Sequence, residues 1–303
     1  MKYAITRQVI GCKTQVSIEH SEFEAIRVAS RRLVGLLQIE ADYDILVGNY
    51  VDLEVTALSL AADGFVRFRQ SRTDFDRDHR RMNRVIANLL SSARAYIDHT
   101  HHNVSSLLNC SATERASVRR LFGKEYADSL SYRVIEALRN YTQHCGLASQ
   151  SFGYSLRWTG PPDDGNERLL CGLSVNLIVK EIRADGQFKT TVLDELERAE
   201  GDSVPLLPHI RRYVASLSSI NEEIRTVFAP KKKAWGDTLK EFIARYRAVS
   251  TDGHDVGLAA VALREDGTAA EWISLGAQLQ ERVEKLQATN RKLVNLHKVQ
   301  VIS

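Results

Sequence analysis

The sequence predicts a mainly α protein, with an antiparallel helical bundle over residues 1–150 and an α+β extension over residues 151–303. Three observations predict this division. Apolar residues recur at helical spacing through most of the first half. After Gly146 the pattern changes to alternation around a turn-forming stretch. The 303 residues, 44% of them hydrophobic and 26% charged, suffice for one large or two modest domains.

The helices of the first half are predicted from their apolar stripes. After a short alternating segment that suits a strand, helical patterns cover residues 21–40 and Asn49–Ala62. The longest candidate, Asp74–Leu108, contains no glycine or proline and keeps a continuous apolar stripe. Another helix is expected from about Lys124 to Cys145, after a break near Gly123. Because the connections are short, we expect neighbouring helices to pack antiparallel.

The second half combines strands and helices. Alternating runs on both sides of Pro161–Gly165 predict a β-hairpin. Helical patterns return at His209–Val227 and Trp235–Val249, and residues 257–275 predict a strand, a turn and the start of a last helix. That long final helix, Ala269–His297, has leucines at seven-residue intervals. The spacing indicates either a short coiled-coil seam or a helix packed on its own domain.

Charge, cysteines and missing motifs restrict the function. The net charge of +3 permits an anionic partner without demanding one. Four scattered cysteines without a Cys-x-x-Cys pair predict free thiols in a reducing compartment. Since no signal-peptide pattern and no run of membrane-span length stand out, we expect a cytoplasmic protein with no membrane partner. The absence of Gly-rich phosphate loops, Gly-x-Ser-x-Gly and His-Glu-x-x-His argues against common nucleotide hydrolases, α/β-hydrolases and zinc proteases.

A polar motif stands near the end of the predicted helix that closes the bundle. The stretch LRNYTQH places Arg139 five residues before His144, with Asn140 directly after the arginine. A histidine suits proton transfer near neutral pH, and a planar guanidinium can bind two phosphate oxygens. Five helical residues turn through about 500°, so the two side chains lie about 140° apart on an unbroken helix. A productive pair therefore requires either a helix that ends near Gln143 or a second copy of the chain.

In its bundle helix this motif resembles that of the HEPN superfamily, in which four to six residues separate an arginine, often followed by a polar residue, from a histidine; the four residues here are the shortest permitted spacing. The resemblance covers roughly residues 75–150. It implies a metal-independent endoribonuclease without cofactors, often a toxin or phage-defence factor, whose two protomers bring their motifs into one cleft. Arg139 and His144 would then be catalytic, with Asn140 assisting. The 2′-hydroxyl of the RNA would attack its own phosphate and leave a 2′,3′-cyclic phosphate.

Two other interpretations stay open. The first is a non-catalytic dimerisation module, in which Arg139 is salt-bridged within its chain, for example to Glu136, and His144 is buried or only caps its helix. The C-terminal half would then bind a protein partner, as it would bind an antitoxin in the toxin interpretation. The second is a metal site in which two of the residues Asp98, His99 and His102 bind the ion. No obvious third ligand is found elsewhere in the sequence, so we expect no bound metal.

Basic clusters are the candidates for RNA contact. Most, including RRMNR at Arg80–Arg84, are mixed with acidic residues and suit a solvated face. The cleanest run is Lys231, Lys232 and Lys233, which suits phosphate contacts. His102 is a further candidate, because its helix is expected to neighbour the motif helix.

Overall fold

Helices dominate the part of the chain that the structure, a computed structural model, describes. Eight α-helices occur among the described residues, which confirms the predicted mainly α class with an α+β C-terminal part. They are α1 (His20–Arg67), α2 (Arg72–Ser106), α3 (Ala112–Asp128), α4 (Leu130–His144), α5 (Val179–Asp185), α6 (Thr190–Glu200), α7 (Leu206–Arg247) and α8 (Leu279–Thr289). The described residues are 1–9, 14–67, 71–160, 168–250, 254, 256–276 and 278–298.

The described strands form two antiparallel sheets. They are β1 (Lys2–Arg7), β2 (Gln15–Ile18), β3 (Ser151–Trp158), β4 (Leu169–Ile178), β5 (Ser203–Pro205), β6 (Leu258–Leu263) and β7 (Ala269–Ser274). One sheet has the order β2-β1-β6-β7 and the other the order β3-β4-β5. The pairing of β3 with β4 confirms the predicted hairpin. Its predicted turn at Pro161–Gly165 lies outside the described residues.

The chain divides into two compact units. The first comprises residues 1–44, 97–118 and 223–291, and the second comprises residues 45–96, 119–222 and 292–303. The four-stranded sheet belongs to the first unit and the three-stranded sheet to the second. The predicted boundary near residue 150 lies inside the second unit, where the hairpin follows α4.

Two helices are longer than predicted. α1 runs without interruption through both segments that were predicted as separate helices. Gly48 lies inside it, where no heavy atom of the described residues beyond the adjoining α1 backbone stands within 4 Å of the position that a Cβ would occupy, and a helical glycine costs only about 1 kcal/mol. α7 likewise joins two predicted helices and contains Pro230. Burial of one face along each helix outweighs these local breaking signals.

The predicted break at Gly123 is wrong. α3 continues through this glycine, and the chain breaks instead at Ser129. The Ser129 side chain accepts the backbone N–H of Tyr132 and so caps the start of α4. The motif helix therefore begins six residues later than the expected Lys124.

The final helix is shorter than predicted. Residues Ala269–Ser274 form β7, which pairs with β6, and α8 spans only 11 residues. Val283 on α8 is fully buried, and the buried Asn290 at its end donates from Nδ2 to Asp44 over 2.7 Å. The structure therefore favours a helix packed on its own unit over a coiled-coil seam.

One helix, α1, contains a stretch that is long and apolar enough to cross a membrane, by length and composition only. This differs from the sequence-based expectation that no such stretch exists. Within the protein 33% of it is buried, and the core helix of a soluble protein passes the same test. The cytoplasmic location and the lack of a membrane partner remain predictions.

Candidate functional site

The motif helix α4 is amphipathic. Its buried face packs into the second unit through Ser131, Tyr132, Val134, Ile135, Ala137, Leu138 and Tyr141. Asn140 and His144 lie on the exposed side, and Arg139 is half-buried at the border between the two faces. Packing of the apolar stripe therefore determines which motif residues reach solvent.

Arg139 has no carboxylate partner in the described part of the chain. Its Nη1 donates to Oδ1 of Asn140 over 2.8 Å, while its buried Nε has no hydrogen-bond partner there. Glu136, one turn away, is occupied elsewhere, since it accepts from the Tyr213 hydroxyl over 2.5 Å and lies 3.6 Å from Nη1 of Arg94. The guanidinium charge of Arg139 is thus not neutralised by its own helix. A buried donor without an acceptor is unusual and requires an explanation.

His144 does not meet Arg139 within one chain. α4 ends one residue after Gln143, but His144 is still helical as its last residue, so the two side chains stay about 140° apart. Asn140 precedes His144 by one turn and shares its face. The structure therefore joins Arg139 to Asn140 and leaves His144 exposed beside them, without a hydrogen bond or ion pair to any described residue. A second copy is the remaining way to complete the pair.

A cleft of about 290 Å³ lies between α2 and the end of α4. It is lined by Arg80, Asn83, Arg84 and Ala87 of α2, by Thr142 of α4 and by Gly146, Leu147 and Ala148 of the following turn. Arg80 and Arg84 are exposed and have no bonding partner among the residues described. Thr142 follows Arg139 by three residues, so Arg139 stands next to the cleft side of α4. His144, two residues after Thr142, is about 160° away from that side.

Buried hydrogen bonds position the turn that forms one wall of the cleft. Oδ1 of Asn83 accepts the backbone N–H of Ser149 over 2.9 Å. At the other end, Gly146 lies so close to Tyr141 that a Cβ would come within 2.7 Å of the phenol oxygen. That hydroxyl donates to Asp185, and burial together with this hydrogen bond raises the pKa of Tyr141. The hydroxyl therefore stays protonated and holds the wall in place.

The lysine run predicted to bind RNA is engaged within its own unit. The pairs are Lys231 with Glu114, Lys232 with Gln287 and Lys233 with Asp237. The hydrogen bond from Lys231, with that from the backbone of Ser111, lowers the pKa of Glu114 to about 2. Phosphates would have to displace these partners. The run is therefore a poorer anion site than its sequence indicates.

The histidines near the end of α2 are not brought together as metal ligands. Nδ1 of His99 lies 3.1 Å from the Asp42 carboxylate, and His102 is exposed. Within the described ranges, no group of three or more His, Cys, Asp or Glu is placed to hold a metal ion. His102 belongs to the first unit and Arg139 to the second, and its role in RNA contact stays a prediction.

Sequence reasoning missed one polar cluster in the second unit. His209 is 1% exposed, with Nδ1 3.0 Å from the Ser131 hydroxyl and Nε2 3.0 Å from Oε1 of Glu200. Burial lowers the pKa of His209, although Glu200 acts in the opposite direction. Because serine and imidazole are both buried, the cluster is closed to a substrate and ties three helices together. Its members are far apart in sequence, so no spacing pattern indicates it.

No protein-family model, no curated protein and no solved structure matches this chain. The HEPN resemblance therefore rests on the motif from Arg139 to His144 and on the helix that carries it.

Proposed function

We propose that the protein is a metal-independent endoribonuclease of HEPN type that acts as a homodimer. The observation that supports this most is the environment of Arg139, which is half-buried, bonded only to Asn140 and without a carboxylate partner in the described residues. A guanidinium in this state favours an anionic ligand. RNA supplies such a ligand at every phosphodiester.

The cleft beside α4 offers a path for the RNA backbone. Arg80 and Arg84 lie one turn apart on α2, and both are free of partners among the described residues, so they can bind phosphate oxygens in place of internal carboxylates. The Thr142 hydroxyl already donates to the Arg139 carbonyl, so its oxygen remains as an acceptor for a 2′-hydroxyl. Phosphate contacts of this kind give affinity without base specificity, which suits an enzyme that cuts many sequences.

The chemistry requires two proton transfers and one charge stabilisation. The 2′-oxygen loses its proton and attacks phosphorus, the bond from phosphorus to the 5′-oxygen breaks, and that oxygen gains a proton. The products are a 2′,3′-cyclic phosphate and a 5′-hydroxyl. One His144 would transfer both protons, accepting the proton of the 2′-hydroxyl as a base and donating it to the 5′-oxygen as an acid. Arg139 would stabilise the negative charge of the phosphorane, and Asn140 would orient Arg139 through their hydrogen bond.

The dimer is part of the proposal, because Arg139 and His144 of one chain lie about 140° apart on α4. In the proposed site, Arg139 acts together with His144 of the partner subunit. A role in defence or as a toxin, with an antitoxin or other protein at the C-terminal half, extends this proposal.

A cleavage assay tests the proposal directly. Purified protein is incubated with structured and single-stranded RNAs in excess EDTA, and the product ends are identified by mass spectrometry. We expect cyclic phosphate ends from the wild type, a loss of at least about 100-fold in rate for His144→Ala, and an unchanged rate for Gln143→Ala, an exposed neighbour in the same helical turn. Equal rates for His144→Ala and wild type, or no cleavage of any RNA, would overturn the proposal.

The alternative, a non-catalytic dimerisation module, has one observation in its favour, which is an exposed apolar surface on α1. It also requires Arg139 to be salt-bridged within its chain. That condition is not met in the described part of the chain, where Arg139 has no carboxylate partner; the exposed His144 at the end of α4 is compatible with both interpretations. The enzyme interpretation is therefore preferred.

A further inference from the structure

The part of α1 that belongs to the second unit is apolar on two faces. One face is buried and contains Leu46, Tyr50, Leu53, Ala57 and Leu60. The other is exposed and contains Val51 (51% exposed), Val55 (58%), Leu58 (44%) and Phe65 (44%). From 45 to 66, a stretch described throughout, Asp52 is the one charged residue that is exposed rather than half-buried. A helix that is apolar on all sides is normally covered on all sides.

The exposed face has the spacing of a coiled-coil seam. Val51, Leu58 and Phe65 follow one another at seven-residue intervals. Gly48, Val55 and Ala62 do the same and alternate with the first set at steps of three and four. We call these six residues the α1 seam. It extends over about 26 Å of helix, which is enough for six side-chain layers.

We propose that the α1 seam pairs with the α1 seam of a second copy in antiparallel orientation. In this register Phe65 packs on the partner's Gly48, Val51 on the partner's Ala62 and Val55 on the partner's Leu58. Every layer thus joins a larger side chain to a smaller one. The space at Gly48 is open, because no heavy atom of the described residues, apart from the adjoining backbone of α1 itself, lies within 4 Å of the position that a Cβ would occupy. An aromatic ring can therefore enter there.

The seam is complementary to itself, and this favours a second copy over other occupants. The antiparallel register is related to itself by a two-fold axis, so two copies satisfy each other and the assembly closes. A parallel pairing would place Phe65 on Phe65 and Gly48 on Gly48, which gives one overfilled layer and one empty layer. A lipid surface gains nothing from matched sizes and favours a basic flank, whereas this face carries Asp52. The inference is argued from the α1 surface alone but rests on the proposed function in one respect, since both require a homodimer; an undisturbed Leu58→Glu dimer would overturn the seam and leave the shared site standing.

Compensating substitutions test the register. The mass of the full-length protein is measured by analytical ultracentrifugation from 1 to 100 µM, without RNA, for the wild type, Gly48→Phe, Phe65→Ala and the double variant. We expect a wild-type dimer and at least about ten-fold weaker association for each single variant, because one adds a ring to a filled layer and the other empties it. In the double variant the ring and the gap exchange places, so association should recover to within about three-fold of the wild type.

Charge substitutions provide the matched control. Leu58→Glu buries two carboxylates in the centre of the seam and should give a monomer at all these concentrations. Val28→Glu changes an aliphatic residue of similar exposure (39%) on the same helix outside the seam and should leave the dimer intact. Circular dichroism confirms that each variant is folded. A monomeric wild type, an undisturbed Leu58→Glu dimer, or a double variant no better than the worse single variant would overturn the proposal; a monomer that binds uncharged lipid vesicles would assign the seam to a membrane instead.

Discussion

The two basic surfaces that the sequence indicates differ in the charge they leave free. The lysine run on α7 is continuous in sequence, yet each ammonium has a partner in its own unit. Arg80 and Arg84 on α2 are separated by other residues, yet neither is paired with a described residue. The charge that a ligand meets therefore depends on the partners that the fold supplies, and the length of a basic run is a poor guide to it.

One acidic residue near the two arginines in sequence is engaged elsewhere. Asp78, two residues before Arg80, is buried and accepts from the Tyr154 hydroxyl over 2.8 Å and from Arg77 over 3.1 Å. This carboxylate is thus committed to the packing of β3 against α2, on a different side of the helix from Arg80. By contrast, Glu114 lies at the start of α3 and reaches Lys231 from 117 positions away in sequence. Neither arrangement can be read from local sequence.

The arginine pair and the lysine run should differ most in how much each contributes to RNA affinity. Arg80→Ala combined with Arg84→Ala should weaken binding of an uncleavable 2′-deoxy-modified RNA by at least about ten-fold. It should also reduce the slope of log affinity against log salt by about 1.4, since each phosphate contact on a single strand contributes about 0.7. Lys232→Ala combined with Lys233→Ala removes the same charge from a surface that is already engaged, and should change affinity less than about two-fold. Fluorescence anisotropy at three salt concentrations measures both quantities. The reverse order of effects would show that the lysines are the RNA site.

The two basic surfaces should differ least in how much each contributes to the stability of the fold. Hydrogen bonds from Lys231 and, second, from the backbone of Ser111 lower the pKa of Glu114 from 4.5 to about 2, so the part due to Lys231 stabilises the fold above pH 4.5 and is lost as the pH falls toward 2. Both side chains are partly exposed (43% and 26%), which limits the contribution to about 0.5 kcal/mol. Lys231→Ala should therefore lower the free energy of unfolding by this amount at pH 7 and match the wild type near pH 2. Arg84 has no described partner, so Arg84→Ala should leave the free energy of unfolding unchanged at both pH values. Urea unfolding at several pH values measures this contribution. If Lys231→Ala still lowers the free energy of unfolding at pH 2, the charge of the pair is not the cause.

How far sequence predicts this molecule depends on the range of the interactions involved. Local periodicity predicted the mainly α class and the hairpin of β3 and β4, because both follow from the spacing of apolar residues. It divided α1 and α7 at internal breaking signals, since tertiary burial outweighs a glycine or a proline.

The candidate site shows the same limit. The motif helix and its polar residues were predictable from local sequence. The cleft was not, because Arg80 and Thr142 are distant in the chain and are brought together only when the turn after α4 is anchored to Asn83. The free state of Arg139 also depends on Tyr213 and Arg94, which occupy Glu136.

The central claim is that Arg139 of one copy acts with His144 of the other. It is tested most directly by mixing Arg139→Ala and His144→Ala proteins after unfolding and joint refolding. Each variant alone should be inactive, whereas the mixture should recover up to about a quarter of wild-type cleavage, since half of the dimers are mixed and each has one intact site of two. A mixture that forms mixed dimers but cleaves no more RNA than its components would contradict the shared site.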